Sequence, residues 1–349
     1  MSWHGILGQD TVFKQFEQTL AKGRLASSYL FVGPPGVGKR STAMAIGRAL
    51  LCNSRQEGQL RACGVCPACI QVEKLSHADL EIVNKPPDQS AIPVKSLIGP
   101  PENRLREGLC YNLSLKPFHG GRKVAIIDDA DYLNTEGANC LLKTLEEPPP
   151  HSLLILIGTS AQRQLPTIRS RCQLIRFRPL DRTALTRLII DQGFAAPPEA
   201  EQLARLAEGS LQRAKELSDG ALREFRTGWL GELSTGDFWS AELLKQIAGF
   251  VESAGTDAPA RRNRLRVIIS FALQFYRHLL HASCGHAMEA DDCLAESVRV
   301  ALRSWKSGHA GIVSCIENCL EALAQIDANA HVNTVIDVWF DEISLAART

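Results

Sequence analysis

Gly33-Pro34-Pro35-Gly36-Val37-Gly38-Lys39-Arg40 follows the apolar run Tyr29-Leu30-Phe31-Val32 and opens a helical pattern from Lys39 to Cys52. Strand, glycine loop, helix is the setting of a phosphate loop. Glycines let backbone N–H groups turn inward, a helix N-terminus adds partial positive charge, and a lysine at position 39 reaches the outer phosphates. A tight strand-to-helix turn is the plainer reading of the same glycines. One position departs from the phosphate-loop pattern. Ser or Thr should follow the lysine to hold a magnesium ion, and Arg40 stands there. Ser41 does not replace it, because one step along a helix turns a side chain by roughly 100°.

Around this loop the chain alternates strands and helices. Apolar runs at Leu80–Val83, Lys123–Asp128, Leu153–Ile157 and Leu174–Phe177 read as strands buried on both faces, which implies a parallel sheet covered by helices. Asp10 is a plausible N-cap for a helix over 6–22, Asn134–Glu147 reads as a helix stopped by Pro148-Pro149-Pro150, 86–101 as a proline-rich loop, and Glu102–Leu113 as a helix. Beyond Pro179 strand signals stop. Residues 181–192, 199–207 and 211–218 form short amphipathic helices, and from about 221 the pattern is helical, punctuated near 231–236 and 255–259. The expected layout is an α/β core over 1–179, a helical lid over 180–220 and an all-α domain over 221–349.

At 349 residues the chain has room for a substantial core. A formal net charge of +1 gives no global field toward nucleic acid or membrane. Met1-Ser2-Trp3-His4 is no signal peptide and no apolar run reaches membrane-spanning length, so cytoplasm is the expected compartment. Eleven cysteines in such a chain argue for metal ligation and free thiols rather than disulfides.

Cys52, Cys63, Cys66 and Cys69 are spaced C-x10-C-x2-C-x2-C. Four thiolates with no open position describe a structural zinc site, which would fold an excursion (52–69) that cannot bury a core of its own. An iron–sulfur cluster is the rival, because C-x2-C-x2-C also occurs in ferredoxin-like runs.

Val124-Ala125-Ile126-Ile127 ends in two carboxylates, Asp128 and Asp129. In nucleotide hydrolases the first acid of such a pair coordinates magnesium through water and the second, usually Glu, polarises the attacking water. Asp129 is one methylene shorter, which retracts its carboxylate by roughly 1.5 Å and weakens its alignment as a base. Between Ala161 and Arg187 there are seven arginines and one acid, Asp181. From composition a solvated basic face or a phosphate patch is the first reading. An arginine at a subunit edge, however, can also enter a neighbour's nucleotide site and neutralise transition-state charge.

With these pieces placed, the chain resembles the clamp-loader subunits of bacterial DNA polymerase III, within the AAA+ ATPases. The likeness covers about residues 3–218 and is architectural beyond. It is carried by Gly8-Gln9, Gly33 to Lys39, the four cysteines, Ile127-Asp128-Asp129-Ala130, the string Asn139 to Pro149 (Asn-Cys-Leu-Leu-Lys-Thr-Leu-Glu-Glu-Pro-Pro) and Thr167-Ile168-Arg169-Ser170-Arg171-Cys172. The resemblance implies an AAA+ core with an inserted zinc module, a helical lid and an all-α collar domain. It implies partners in a five-subunit ring, with gamma/tau and delta subunits, that places the sliding clamp on primed DNA.

Carried over by position, Gly33, Pro34, Pro35, Gly36, Val37, Gly38 and Lys39 would form the ATP-binding loop with Arg40 and Ser41 beside it. Asp128 would be the magnesium position and Thr159 the sensor on the adjacent strand. Arg171 would be a finger offered in trans to a neighbour's ATP, and Arg213 would belong to the second sensor segment, where Gln212 takes the expected arginine position. Arg40, Asp129 and Gln212 depart at three catalytic elements while Arg171 remains. That pattern fits the delta prime type, a largely non-hydrolysing accessory subunit of the polymerase, better than the ATP-hydrolysing gamma/tau motor, which is the alternative. No second carboxylate constellation points to polymerase chemistry in this chain itself.

Overall fold

The computed structural model describes residues 6–56, 58–118, 121–238, 240–286 and 290–348, so the reading of the first four residues lies outside the described part. The chain divides into two compact units, Met1–Lys215 and Glu216–Thr349.

In the first unit, α1 (Asp10–Ala21) leads into β1 (Ser28–Val32), the glycine loop and α2 (Lys39–Leu51). The cysteine excursion contains α3 (Pro67–Glu73) and returns as β2 (Leu80–Val83). Then follow α4 (Val94–Ile98), α5 (Leu109–Ser114), β3 (Lys123–Ile127), α6 (Thr135–Glu146), β4 (Ser152–Gly158), α7 (Pro166–Arg169) and β5 (Gln173–Arg176). Three lid helices close the unit: α8 (Arg182–Asp191), α9 (Pro197–Leu206) and α10 (Leu211–Leu217).

All five strands are parallel, in the order β2-β3-β4-β1-β5. The alternation of strand side chains explains why the central strands β1, β3 and β4 are almost wholly apolar. Tyr29, Phe31, Val124, Ile126, Leu153, Ile155 and Ile157 pack on one face with Phe13, Phe16, Ile46 and Leu50 of α1 and α2. Leu30, Val32, Ala125, Ile127, Leu154 and Leu156 point the other way, against Leu97, Leu109, Leu141 and Leu145. β4 lies between β1 and β3, so the chain leaves β1 toward one edge of the sheet and comes back. The ends of β1, β3 and β4 thus meet at the topological switch point, where open α/β sheets place their ligands.

Three sequence expectations change. Gln9, not Asp10, is the N-cap of α1, and Asp10 is its first helical residue. Residues 86–101 are not wholly loop, since Val94–Ile98 is helical. Glu102–Leu113 is not one helix: a 3-10 turn at Pro101–Asn103 is followed by α5 from Leu109. The reason is a backbone closure. Leu105 N–H donates to the Ile98 carbonyl at 2.7 Å, and a Cβ on Gly108 would lie 2.6 Å from the Gly99 nitrogen. Two chain segments touch main chain to main chain there, which breaks the helix.

The second unit is all helix: α11 (Gly220–Ser234), α12 (Ala241–Glu252), α13 (Ala258–Ser283), α14 (Asp292–Ser304), α15 (Gly308–Asp327) and α16 (Val332–Arg348). Its first break, after Ser234, falls in the punctuated stretch 231–236, with Gly231 itself continuing α11. Trp229, Phe238, Trp339 and Phe340 form its aromatic centre, with ring centroids 5.9 to 6.4 Å apart. Arg226 is buried beside it and makes a two-point ion pair with Asp291, at 3.2 and 2.6 Å. Among the described residues no helix is long and apolar enough to cross a membrane.

Candidate nucleotide loop and cysteine centre

The loop leaves β1 through Gly33, whose N–H donates to the Thr159 carbonyl at 3.1 Å, so the ends of β1 and β4 are tied together. Gly36 has φ +73°, and a Cβ there would press into the backbone and side chain of Gln212 at 2.7 Å as well as the Ser210 hydroxyl. Only glycine satisfies both demands. The lid is bonded directly to the loop, through the Leu211 N–H and the Gly36 carbonyl at 2.9 Å. Gln9, buried, spans from the Val37 carbonyl (3.0 Å) to the Arg178 carbonyl (3.2 Å), which gives the Gly8-Gln9 pair its job: it pins the loop to the exit of β5.

Lys39 is buried to 8 % exposure and its Nζ donates to the carbonyls of Gly33 and Pro34, both at 2.6 Å. Burial lowers its pKa, offset by the carboxylates of Asp131, Asp128 and Asp129. Arg40, at the position of the missing hydroxyl, reaches back to β3 and pairs with Asp128, Nη1 to Oδ2, at 2.9 Å. Asp128 also accepts from the Asp129 N–H at 3.1 Å. Asp129 sits at φ +58°, and burial, then the neighbouring Asp128, raises its pKa. Ser41 is exposed on α2, and Thr42 is buried with its hydroxyl given no partner among the described residues.

Sequence reading missed Asp131. Its carboxylate takes the Thr159 N–H (2.7 Å), the Thr159 hydroxyl (2.5 Å) and the Gln164 amide (2.6 Å). Gly158 makes room, since a Cβ there would stand 2.6 Å from Asp131 Oδ1. The expected sensor residue is thus fixed by an acid at the end of the neighbouring strand. A third carboxylate, three residues after Asp128, was the available signal.

Two further expected residues lie elsewhere. The Arg213 guanidinium pairs with Glu208 at 3.2 Å, and it is Gln212 that meets the loop at Gly36. Arg171, on the turn after α7, pairs with Glu146 at 2.6 Å and donates to the Thr167 carbonyl at 3.0 Å.

Magnesium does not fit these residues in the ordinary way. The helix position that should offer a hydroxyl carries a cation, and that cation already holds the carboxylate that should face the metal. A tetrahedral ion does fit the cysteines. The sulfurs of Cys52, Cys63, Cys66 and Cys69 all lie within 4.8 Å of one another, with Cys52–Cys66 at 3.9 Å and Cys63–Cys69 at 4.0 Å. Zinc–sulfur bonds of about 2.3 Å require sulfurs about 3.8 Å apart, so the four sulfurs are spaced for one tetrahedral ion. Backbone N–H groups of Cys63, Cys66 and Cys69 each donate to the preceding ligand sulfur at 3.4 Å. The Cys63 thiol is lowered to about 6 by the N–H groups of Val65 and Cys66, whereas burial pushes Cys69 up to about 12.

A parallel sheet in this order, a glycine loop after β1, an acidic end to β3 and a helical lid bonded to the loop define an AAA+ protein. Residues 8–181, just under half of the chain, match the family model described as DNA polymerase III, delta subunit. The chain is 33% identical over 222 residues to DNA polymerase III subunit tau of Escherichia coli, covering 62% of this chain and 32% of that protein. It is 33% identical over 210 residues to subunit delta' of Bacillus subtilis (60% and 59%) and 33% over 217 residues to subunit delta' of Pseudomonas aeruginosa (60% and 61%). The matched part thus spans about a third of the tau protein and three fifths of the delta' proteins. Among solved structures, a DNA polymerase III gamma subunit-related protein of Thermotoga maritima superposes with TM-score 0.41 at 13% identity, over 96% of this chain and 99% of that one.

Proposed function

We propose that this chain is a clamp-loader subunit of the delta prime type. It sits in a ring with gamma/tau and delta subunits, helps place the sliding clamp on primed DNA in the cytoplasm, and offers Arg171 to the ATP of an adjacent subunit. Its own loop does not hydrolyse ATP. The cysteine module holds zinc as a structural ion, and the chain keeps three parts: core, helical lid and all-α collar.

Similarity alone does not choose between the motor and the accessory type, since tau and delta' relatives match equally well. The observation that carries the choice is the ion pair of Arg40 with Asp128. A motor needs a hydroxyl and a carboxylate facing one metal ion. Here a guanidinium fills one place and occupies the other. Asp129, one methylene shorter than the usual Glu, is also poorly placed as a base.

Single-turnover hydrolysis of radiolabelled ATP by the purified chain tests this. The expected trace stays at the uncatalysed background; a stoichiometric burst of product would favour the motor.

A further inference from the structure

In a phosphate loop the divalent ion bridges phosphate oxygens and neutralises their charge. It is held by the hydroxyl after the lysine and by the acidic strand end. This loop has lost the first ligand without losing positive charge. Arg40 replaces a neutral hydroxyl with a guanidinium, which has donors and no acceptor and stays charged at any working pH. It stands 2.9 Å from Asp128, within a strong charge-assisted contact. A metal approaching Asp128 would have to displace a cation and then remain beside it.

The remaining carboxylates do not offer a second metal position. Asp131 is saturated by Thr159 and Gln164. Asp129 is turned into a left-handed backbone conformation at an exposed position beside Lys85. Lys39, by contrast, rests on two neutral carbonyls, Gly33 and Pro34, acceptors that a phosphate oxygen outcompetes by its charge. The loop therefore has two cations and the start of α2, a helix of 13 residues, for an anion.

We propose that Arg40 is a built-in substitute for the divalent ion, and that this loop holds the diphosphate of a nucleoside diphosphate without magnesium. The proposal rests on reading Gly33–Lys39 as a phosphate loop. A nucleoside triphosphate is the poorer ligand, because its additional charge is the part a metal normally neutralises. The occupant is structural: it braces the loop against the lid at Gly36 and Leu211, and nothing in the site turns it over.

The test is a fluorescence titration of the full chain with a methylanthraniloyl-labelled ADP, in EDTA and in excess magnesium, beside the same titration of Arg40→Thr. Saturable binding in EDTA is expected, changed less than about twofold by magnesium, with unlabelled ATP the weaker competitor. Arg40→Thr should bind at least about tenfold more weakly in EDTA and recover with magnesium, as the hydroxyl restores a metal ligand. Thermal melts of both proteins without ligand establish that the variant folds. Absence of saturable binding in EDTA, tightening of the unaltered chain by magnesium of about tenfold or more, or a variant indistinguishable from it would each overturn the proposal. None of these results bears on Arg171, whose role is read in the assembled ring.

Discussion

Asp131 shows what a single residue contributes and why its role was hidden. Three donors, two from the exposed Thr159 and one from the buried Gln164, end on one carboxylate, so its removal leaves the Gln164 amide orphaned and frees the Thr159 turn. Leaving buried donors unsatisfied costs about 1–3 kcal/mol each in the least solvated positions. Asp131→Ala should lower the melting temperature clearly, and Asp131→Asn should recover part of it by keeping an acceptor. Equal melts for all three proteins would contradict the account. Gly36→Ala should be destabilising as well, because the residue has φ +73° and its missing Cβ points into Gln212. The Lys39, Asp128 and Arg40 positions were legible from spacing along the chain. Asp131 was not, because nothing local joins residues 131, 159 and 164; only the ordering of β3 beside β4 does.

At the scale of elements, the three central strands were readable because β1, β3 and β4 are buried on both faces and therefore almost wholly apolar. The stretch from 86 to 113 was not, since glycine-mediated backbone contact, rather than periodicity, decides it. The cysteine module lies between these cases. Its ligands are local, with Pro67 at the first turn of α3 and the Cys66 side chain accepting from the Cys69 N–H, so spacing alone disclosed them. Metal analysis of the purified protein should find one zinc per chain and no iron, and Cys66→Ser should lose the ion. Thiolates are the ligands, so protons compete with metal. Acidification should therefore release the ion, followed with a chromogenic chelator, and release should come below the free-thiol range because bound metal holds the ligands deprotonated. Unchanged zinc content in Cys66→Ser would argue against this ligation.

The whole molecule consists of two units with different logics. In the second, a buried pair sets the architecture: Arg226 clamps Asp291, which also caps α14 by accepting from the Leu294 N–H. Breaking such a pair leaves an uncompensated charge and costs about 3–5 kcal/mol. Arg226→Ala should therefore destabilise the all-helical unit far more than Arg299→Ala, whose partner Glu296 is exposed. Chemical denaturation of the two variants compares them directly.

The central claim is that this chain lends a cation to chemistry in its neighbour and carries out none at its own loop. Steady-state ATP turnover of the reconstituted ring, with Arg171→Ala or Lys39→Ala in this chain alone, tests it most directly. The account predicts a loss of at least about tenfold for Arg171→Ala and less than about twofold for Lys39→Ala. Unchanged turnover with Arg171→Ala, or equal damage from both substitutions, would contradict it.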